Sequence, residues 1–223
     1  MTFSIIARCT KTGQLGAAVS SSSPAVASRC IRAKAGVGVV ASQNITDPNL
    51  SQILIEMMQY DLTPNDAGQE LIKSTEFIQY RQLMALNTTD ASFVFSGEHT
   101  LGTFSTAQGK HASCAGNMLS NTSIPEEMLN TFEKSEGSLA SRLLESLVSG
   151  YNAGGEEGAV HSAGLLVVDK TTWPIVDLRV DWSDTPIEDL QQLWKVYEPQ
   201  LGDYVMRAFN PTMSPSYGVP GDL

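Results

Sequence analysis

Thr2-Phe3-Ser4-Ile5-Ile6-Ala7-Arg8-Cys9, then Lys11-Thr12-Gly13-Gln14, then Leu15-Gly16-Ala17-Ala18-Val19, is the stretch on which the fold turns. Its outer segments read as strands, and the Gly-bearing tetrapeptide between them reads as a hairpin turn. The chain therefore opens on an antiparallel pair. Strand alternation places Thr2, Ser4, Ile6 and Arg8 on one face, and Phe3, Ile5, Ala7 and Cys9 on the other.

Working outward, Ser20 to Pro24 reads as a loop, and Ala35 to Ala41 as a buried strand. A helix follows over Leu50 to Tyr60, with Ile53, Leu54, Met57 and Met58 at helical spacing behind Asp47-Pro48. Thr63-Pro64 opens the next, as an N-cap with Pro at the first helical position. Strands are expected over 81–87, 91–95 and 110–115, with Asn87 to Asp90 as a polar turn. Helices then start at Ile124 and Ser138, the second ending at Asn152-Ala153-Gly154-Gly155. Strands over 159–169 and 174–181 and a closing helix from Pro186 to Phe209 complete the order.

Blocks of strands separated by helix pairs disfavour a regular parallel βαβ sheet. They predict an α+β fold: a four-layer αββα sandwich of two antiparallel sheets covered by helices. No linker or repeat interrupts it, so residues 1–209 read as one domain and 210–223 as an extended tail.

Composition narrows the function. The 223 residues carry 14 Lys+Arg against 24 Asp+Glu, a formal charge of −10. Such a chain lacks the basic footprint that duplex DNA requires. Its apolar runs are too short for a bilayer, and no signal peptide is evident at the start, so a cytoplasmic protein with no membrane partner is expected. Three Cys and three His, without C-x-x-C or H-x-x-x-H spacing, give no expectation of a disulfide framework, a metal or a cofactor. The G-x-S-x-G elbow, the Walker A loop and the G-x-G-x-x-G turn are all missing. The acidic pairs Glu126-Glu127 and Glu156-Glu157 read as solvated charges at a helix start and in a loop.

The N-terminus carries the chemical signal. A small residue after Met generally permits removal of the initiator, which leaves Thr2 with a free α-amine beside its hydroxyl. That amine, with an ordinary pKa of about 7.7–8.0, is partly neutral near pH 7 and is placed to act as base for its own hydroxyl. Ser4 lies on the same face, roughly 6.6 Å along the strand. It is either a polarising neighbour or a second nucleophile. Cys9 alternates to the opposite face.

Several strings occur together in order: Thr2 to Arg8, Thr12 to Val19, Ala35 to Gln43, Arg81-Gln82, Gly116 to Leu119, Ala153 to Gly155, Ser162 to Val168 and Asp177 to Asp181. They resemble the domain-of-unknown-function 1028 family, within the N-terminal-nucleophile (Ntn) hydrolase superfamily that includes proteasome β-subunits. The resemblance covers about Thr2 to Leu193. The chain departs from the family pattern at Cys9, where Asp is common, at His161, where Gln is usual, and at Trp182-Ser183, which replaces a more acidic stretch.

The resemblance implies that Thr2 is the nucleophile of an amidohydrolase cleaving a small amide or N-acyl compound. Lys34 is implied near the nucleophile, lowering the proton affinity of its amine; a Lys at a strand edge facing water is the alternative. Gly116-Asn117 resembles the segment that supplies an oxyanion N–H, or else Asn117 caps a turn. Gln43, Arg81, Ser162 and Asp181 are further substrate-binding candidates, each also explicable by structural hydrogen bonds or ion pairs. A homo-oligomer is expected by analogy. The competing reading is a non-catalytic scaffold of the same fold that binds a metabolite or a protein partner.

Overall fold

The computed structural model describes residues 1–89 and 91–219; Asp90 and the last four residues of the expected tail lie outside it. β1 (Thr2–Arg8) and β2 (Leu15–Ser21) form the expected hairpin, with Phe3 opposite Ser20 and Arg8 opposite Leu15. β2 thus continues through Ser20 and Ser21, which the sequence had given to a loop.

Next come α1 (Val26–Cys30) and β3 (Ile31–Lys34), neither of which the sequence marks. A five-residue helix is too short to show a period. The strand expected over 35–41 is shifted to β4 (Gly38–Asn44), because Lys34 and Gly38 face each other across a tight turn with Gly36 at φ +72°. α2 (Pro48–Gln59) and α3 (Pro64–Ser74) follow. The Asp47 side chain accepts from Asn49 N and that of Thr63 from Asp66 N, as N-caps do.

β5 (Arg81–Asn87) and β6 (Phe93–Ser96) come next, then β7 (Ser105–Gln108) and β8 (Ala112–Asn117). β7, four residues of polar sequence, was not foreseen. α4 (Ile124–Lys134) and α5 (Leu139–Asn152) precede β9 (Ser162–Val168) and β10 (Val176–Val180). The expected closing helix is two helices, α6 (Pro186–Tyr197) and α7 (Leu201–Phe209), separated by a 3-10 turn containing Pro199. Proline there lacks the N–H that would continue the helix. A further 3-10 turn at Pro211–Met213 opens the tail.

Two antiparallel sheets result. One has strand order β10-β9-β2-β1-β8-β7, the other β3-β4-β5-β6. Ile6, Leu15, Val19, Val39, Met84 and Leu166 are among the residues that fill the space between them. On the outer face of the larger sheet, Phe3, Ile5 and Cys114 pack against Phe132, Leu143 and Leu190 of α4, α5 and α6. On the outer face of the smaller one, Val40 and Leu83 pack against Leu54 and Leu71 of α2 and α3. The fold is the four-layer αββα sandwich. Because β2 and β8 flank β1 on both sides and layers cover both faces, every β1 residue is buried.

Candidate functional site

Apolar packing between the sheets gives way to polar side chains at the Thr2 end of β1. Thr2 is 5% exposed, and Ser4, Ser21, Gln43, Gln82 and Asn117 are essentially inaccessible. All six belong to strands of the two sheets and share the inter-sheet space. Buried polar groups of this kind need partners, and here they satisfy one another.

The direction of each bond is fixed from one end. Gln82 Nε2 donates to the Gly116 carbonyl at 3.2 Å and to Ser96 Oγ at 2.9 Å. A carbonyl only accepts, so Gln82 Oε1 is the acceptor, taking Gln43 Nε2 at 2.8 Å and Asn117 Nδ2 at 3.1 Å. Gln43 Oε1 in turn accepts the Ser4 hydroxyl at 2.6 Å. Ser4 therefore commits its proton away from Thr2, which makes it a bridge between the sheets and not an activated nucleophile. The Asn117 side chain gives one N–H of its Nδ2 to Gln82, and its Oδ1 is buried with no partner among the described residues. The oxyanion role that the resemblance implies at Gly116-Asn117 is that of a backbone N–H, and Asn117 lies opposite Thr2 in the β1–β8 pair.

The Thr2 hydroxyl itself donates to the Met1 carbonyl and lies 3.3 Å from Ser21 Oγ. Ser21 Oγ also donates to the Met1 carbonyl and accepts Ser23 N at 3.1 Å. Ser21 is a site residue that the sequence reading passed over. Its signal was available: alternation through Leu15, Ala17, Val19 and Ser21 keeps all four on one face.

Glu156 is the larger correction. It was read as a solvated loop charge, yet it is only 5% exposed. Gly154 and Gly155, at φ +126° and +57°, turn the chain back after α5. Leu119 and Glu156 then form an isolated β-bridge. Both Glu156 carboxylate oxygens accept Ser22 N, at 3.2 and 3.1 Å. Burial pushes the Glu156 carboxyl up to about 7, against the opposing pull of the Met1 α-amine and the hydrogen bonds from Ser22.

The other candidates fall elsewhere. Lys34 is exposed and donates to Gln59 Oε1 at 2.6 Å. It sits opposite Gly38, five residues down β4 from Gln43, a separation of about 16 Å. The structure does not bring it to Thr2. Arg81, opposite Asn44, binds the Ile45 carbonyl, and its Nε is buried without a partner among the described residues. Ser162 donates to the Ser23 carbonyl at 2.6 Å and accepts Val26 N at 3.2 Å, which anchors the segment entering α1. Asp181 is exposed, and its carbonyl accepts Ala25 N; no ion pair joins it to Arg81 among the described residues. Cys9 follows the far end of β1, about 23 Å from Thr2. His161 and Trp182, two of the departures from the family pattern, stack with ring centroids 4.5 Å apart, and His161 N donates to the Ser21 carbonyl. None of five surface clefts is lined by Thr2. The largest of these five, about 590 Å³, lies on the helical face beside Leu144, Val148 and Trp194.

Two face-to-face antiparallel sheets under helices, with the hydroxyl of a residue heading a central strand turned between them, define the class as a four-layer αββα sandwich. The chain belongs to the family of unknown function DUF1028, whose profile matches residues 2–190. The crystal structure of protein SPO2555 from Silicibacter pomeroyi, of the same family, superposes with a TM-score of 0.83 at 28% identity, covering 92% of this chain and 91% of that one. More distant are Anbu from Hyphomicrobium sp. strain MC1, at 12% identity and TM-score 0.41 over 97% of this chain and 100% of that one. Anbu (ancestral beta-subunit) from Yersinia bercovieri matches at 9% and 0.40 over 96% and 99%. No curated protein matches the chain. Among the described residues, no helix is long and apolar enough to cross a membrane.

Proposed function

We propose that the protein is an Ntn-type amidohydrolase acting on a small amide or N-acyl compound, with Thr2 as nucleophile once Met1 is removed. The observation that carries this reading is the buried Thr2 hydroxyl at the head of a central strand, hydrogen-bonded to the carbonyl of Met1 and beside Ser21 Oγ. While Met1 is attached, the Thr2 nitrogen is an amide without basic character. Removal of Met1 supplies the amine and frees both hydroxyls.

The amine takes the proton of Thr2 Oγ1 as that oxygen attacks the substrate carbonyl carbon. Ser21 Oγ, which donates to a carbonyl oxygen in the Met1-bearing chain, donates to the developing oxyanion. The proton returns to the leaving nitrogen as the C–N bond breaks, and the acyl group remains as an ester on Thr2. Water, deprotonated by the same amine, then cleaves the ester. Asn117 Oδ1, an acceptor with no partner among the described residues, lies on the strand opposite Thr2, available to an N–H or to the Thr2 ammonium.

The test is intact mass of untagged protein expressed from its native start, followed by exposure to a β-lactone probe. Loss of one methionine and stoichiometric labelling that Thr2→Ala abolishes is the expected result. Retained Met1, or labelling that survives in Thr2→Ala, overturns the reading and favours a non-catalytic scaffold.

A further inference from the structure

Met1 fills a shaped place, and each of its parts meets a different group. Its carbonyl oxygen accepts the Thr2 and Ser21 hydroxyls. Its side chain lies over Gly158, where a Cβ would come within 3.2 Å of the methionine Cε and 3.8 Å of Sδ. Its α-amine acts electrostatically on Glu156.

Glu156 has no Lys or Arg ion pair among the described residues, although it is almost wholly buried. A carboxylate without a cationic partner is costly to bury. The chain nevertheless holds it in place with the Gly154-Gly155 turn, the bridge to Leu119 and the Ser22 amide. The positive charge that bears on it is the α-ammonium of Met1, with no ion pair inside 4.0 Å among the described residues. The backbone brings the two together: Ser22, whose N–H the carboxylate accepts, adjoins Ser21 on the Met1 carbonyl, and Gly158, two residues beyond Glu156, lies under the Met1 side chain.

From this juxtaposition we infer that the space Met1 occupies is the acyl-side subsite, and that it takes an α-aminoacyl group with a free ammonium and an unbranched apolar side chain. The inference rests on the Thr2 reading and narrows it, from amides in general to amides of α-amino acids with an unblocked amine. Thr2 Oγ1 forms an ester to the aminoacyl carbonyl carbon as the amide C–N bond breaks. The departing amine takes the proton that the Thr2 α-amine had received from the hydroxyl. Water then releases the free amino acid. Glu156 holds the substrate ammonium and Gly158 leaves room for the side chain. A blocked amine carries no charge and leaves Glu156 buried and unpaired, which is the source of the discrimination.

The experiment uses protein lacking Met1, from native processing or from release of a cleavable N-terminal fusion. Binding of L-methioninamide and N-acetyl-L-methioninamide is measured by calorimetry on Thr2→Ala, so that occupancy is read apart from chemistry. Turnover of L-methionine p-nitroanilide and its N-acetyl derivative is measured on the unsubstituted protein. The free amine should bind at least about tenfold more tightly than the acetylated form. Glu156→Gln, which keeps an oxygen to accept Ser22 N, should erase that preference, and Gly158→Val should weaken methioninamide while leaving glycinamide bound. Equal binding of the two probes, no binding of either, or a preference that survives Glu156→Gln overturns the inference. An equal loss of turnover for both substrates in Glu156→Gln also overturns it, since Glu156 then serves the Thr2 amine. Thr2-dependent turnover of acetylated substrate alone leaves the hydrolase standing and removes this inference. Ammonium-selective binding with no Thr2-dependent turnover does the reverse.

Discussion

Ser4 on the larger sheet and Gln43 on the smaller are joined by a 2.6 Å hydrogen bond, one end of a chain that runs through Gln82 to Asn117 and Gly116. That chain ties the two sheets together where their apolar core ends. It also sets the direction of the Ser4 hydroxyl and of the Gln43 and Asn117 amides.

Gln82 is the member on which the others depend. Gln82→Leu, close in volume, strands Gln43 Nε2, Asn117 Nδ2 and the Gly116 carbonyl in a buried space. Each stranded group costs about 1–3 kcal/mol. Urea denaturation should show a loss of about 3 kcal/mol or more, whereas Ser96→Ala, at the partly buried end of the network, should cost under about 1 kcal/mol.

Thr2→Ala should abolish both labelling and hydrolysis, and Thr2→Ser should retain them at a reduced rate, since the hydroxyl and amine remain. Ser4→Ala should lower stability by about 1 kcal/mol while labelling at Thr2 persists. Peptide mapping of the labelled protein distinguishes the two residues directly.

The Glu156 carboxyl, raised from an ordinary value near 4.5 to about 7, makes stability fall with rising pH. Below pH 4.5 the group is protonated in both states and costs nothing. Between the two values the folded chain keeps a proton that the unfolded chain has released, so each step up in pH favours unfolding. Above about 7 the full penalty, about 3 kcal/mol, is present. Glu156→Gln in the chain carrying Met1 should therefore leave stability little changed at pH 4 and raise it at pH 8, by thermal or urea unfolding at both.

Lys34 is exposed, bonded to Gln59 and remote from Thr2. Lys34→Ala should change stability by no more than about 0.5 kcal/mol. Thr2-dependent turnover should change less than about twofold, since no charge is lost within about 10 Å of the site at ordinary ionic strength. A loss comparable to that of Thr2→Ala would require Lys34 to reach the site in another conformation.

Much of the architecture was written along the chain. The β1 alternation put Thr2, Ser4 and Ile6 on the face that turned out to lie between the sheets, because side chains of a strand alternate whatever the strand packs against. Asp47, Thr63 and Ser138 marked three helix starts, because a cap is a contact between residues two or three apart. Short or polar elements were not legible: α1, β3 and β7 carry too few residues for a period, and Pro199 divided a helix that periodicity alone would have continued.

For the site, the sequence by itself supplied the nucleophile candidate and the face it shares, since both depend on a residue and its near neighbours. Only the tertiary structure decided what surrounds it. Ser21 arrived through the register of the β1–β2 hairpin, Gln82 and Gln43 through the apposition of two sheets, and Glu156 through the turn at Gly154 and Gly155: it lies more than 150 residues from Thr2 in the chain and comes near Met1 only in the folded structure. The same closure carried Lys34 away. Local periodicity fixes which way a side chain points along its own strand, whereas the burial and electrostatics that give a carboxylate or a lysine its role depend on residues remote in sequence.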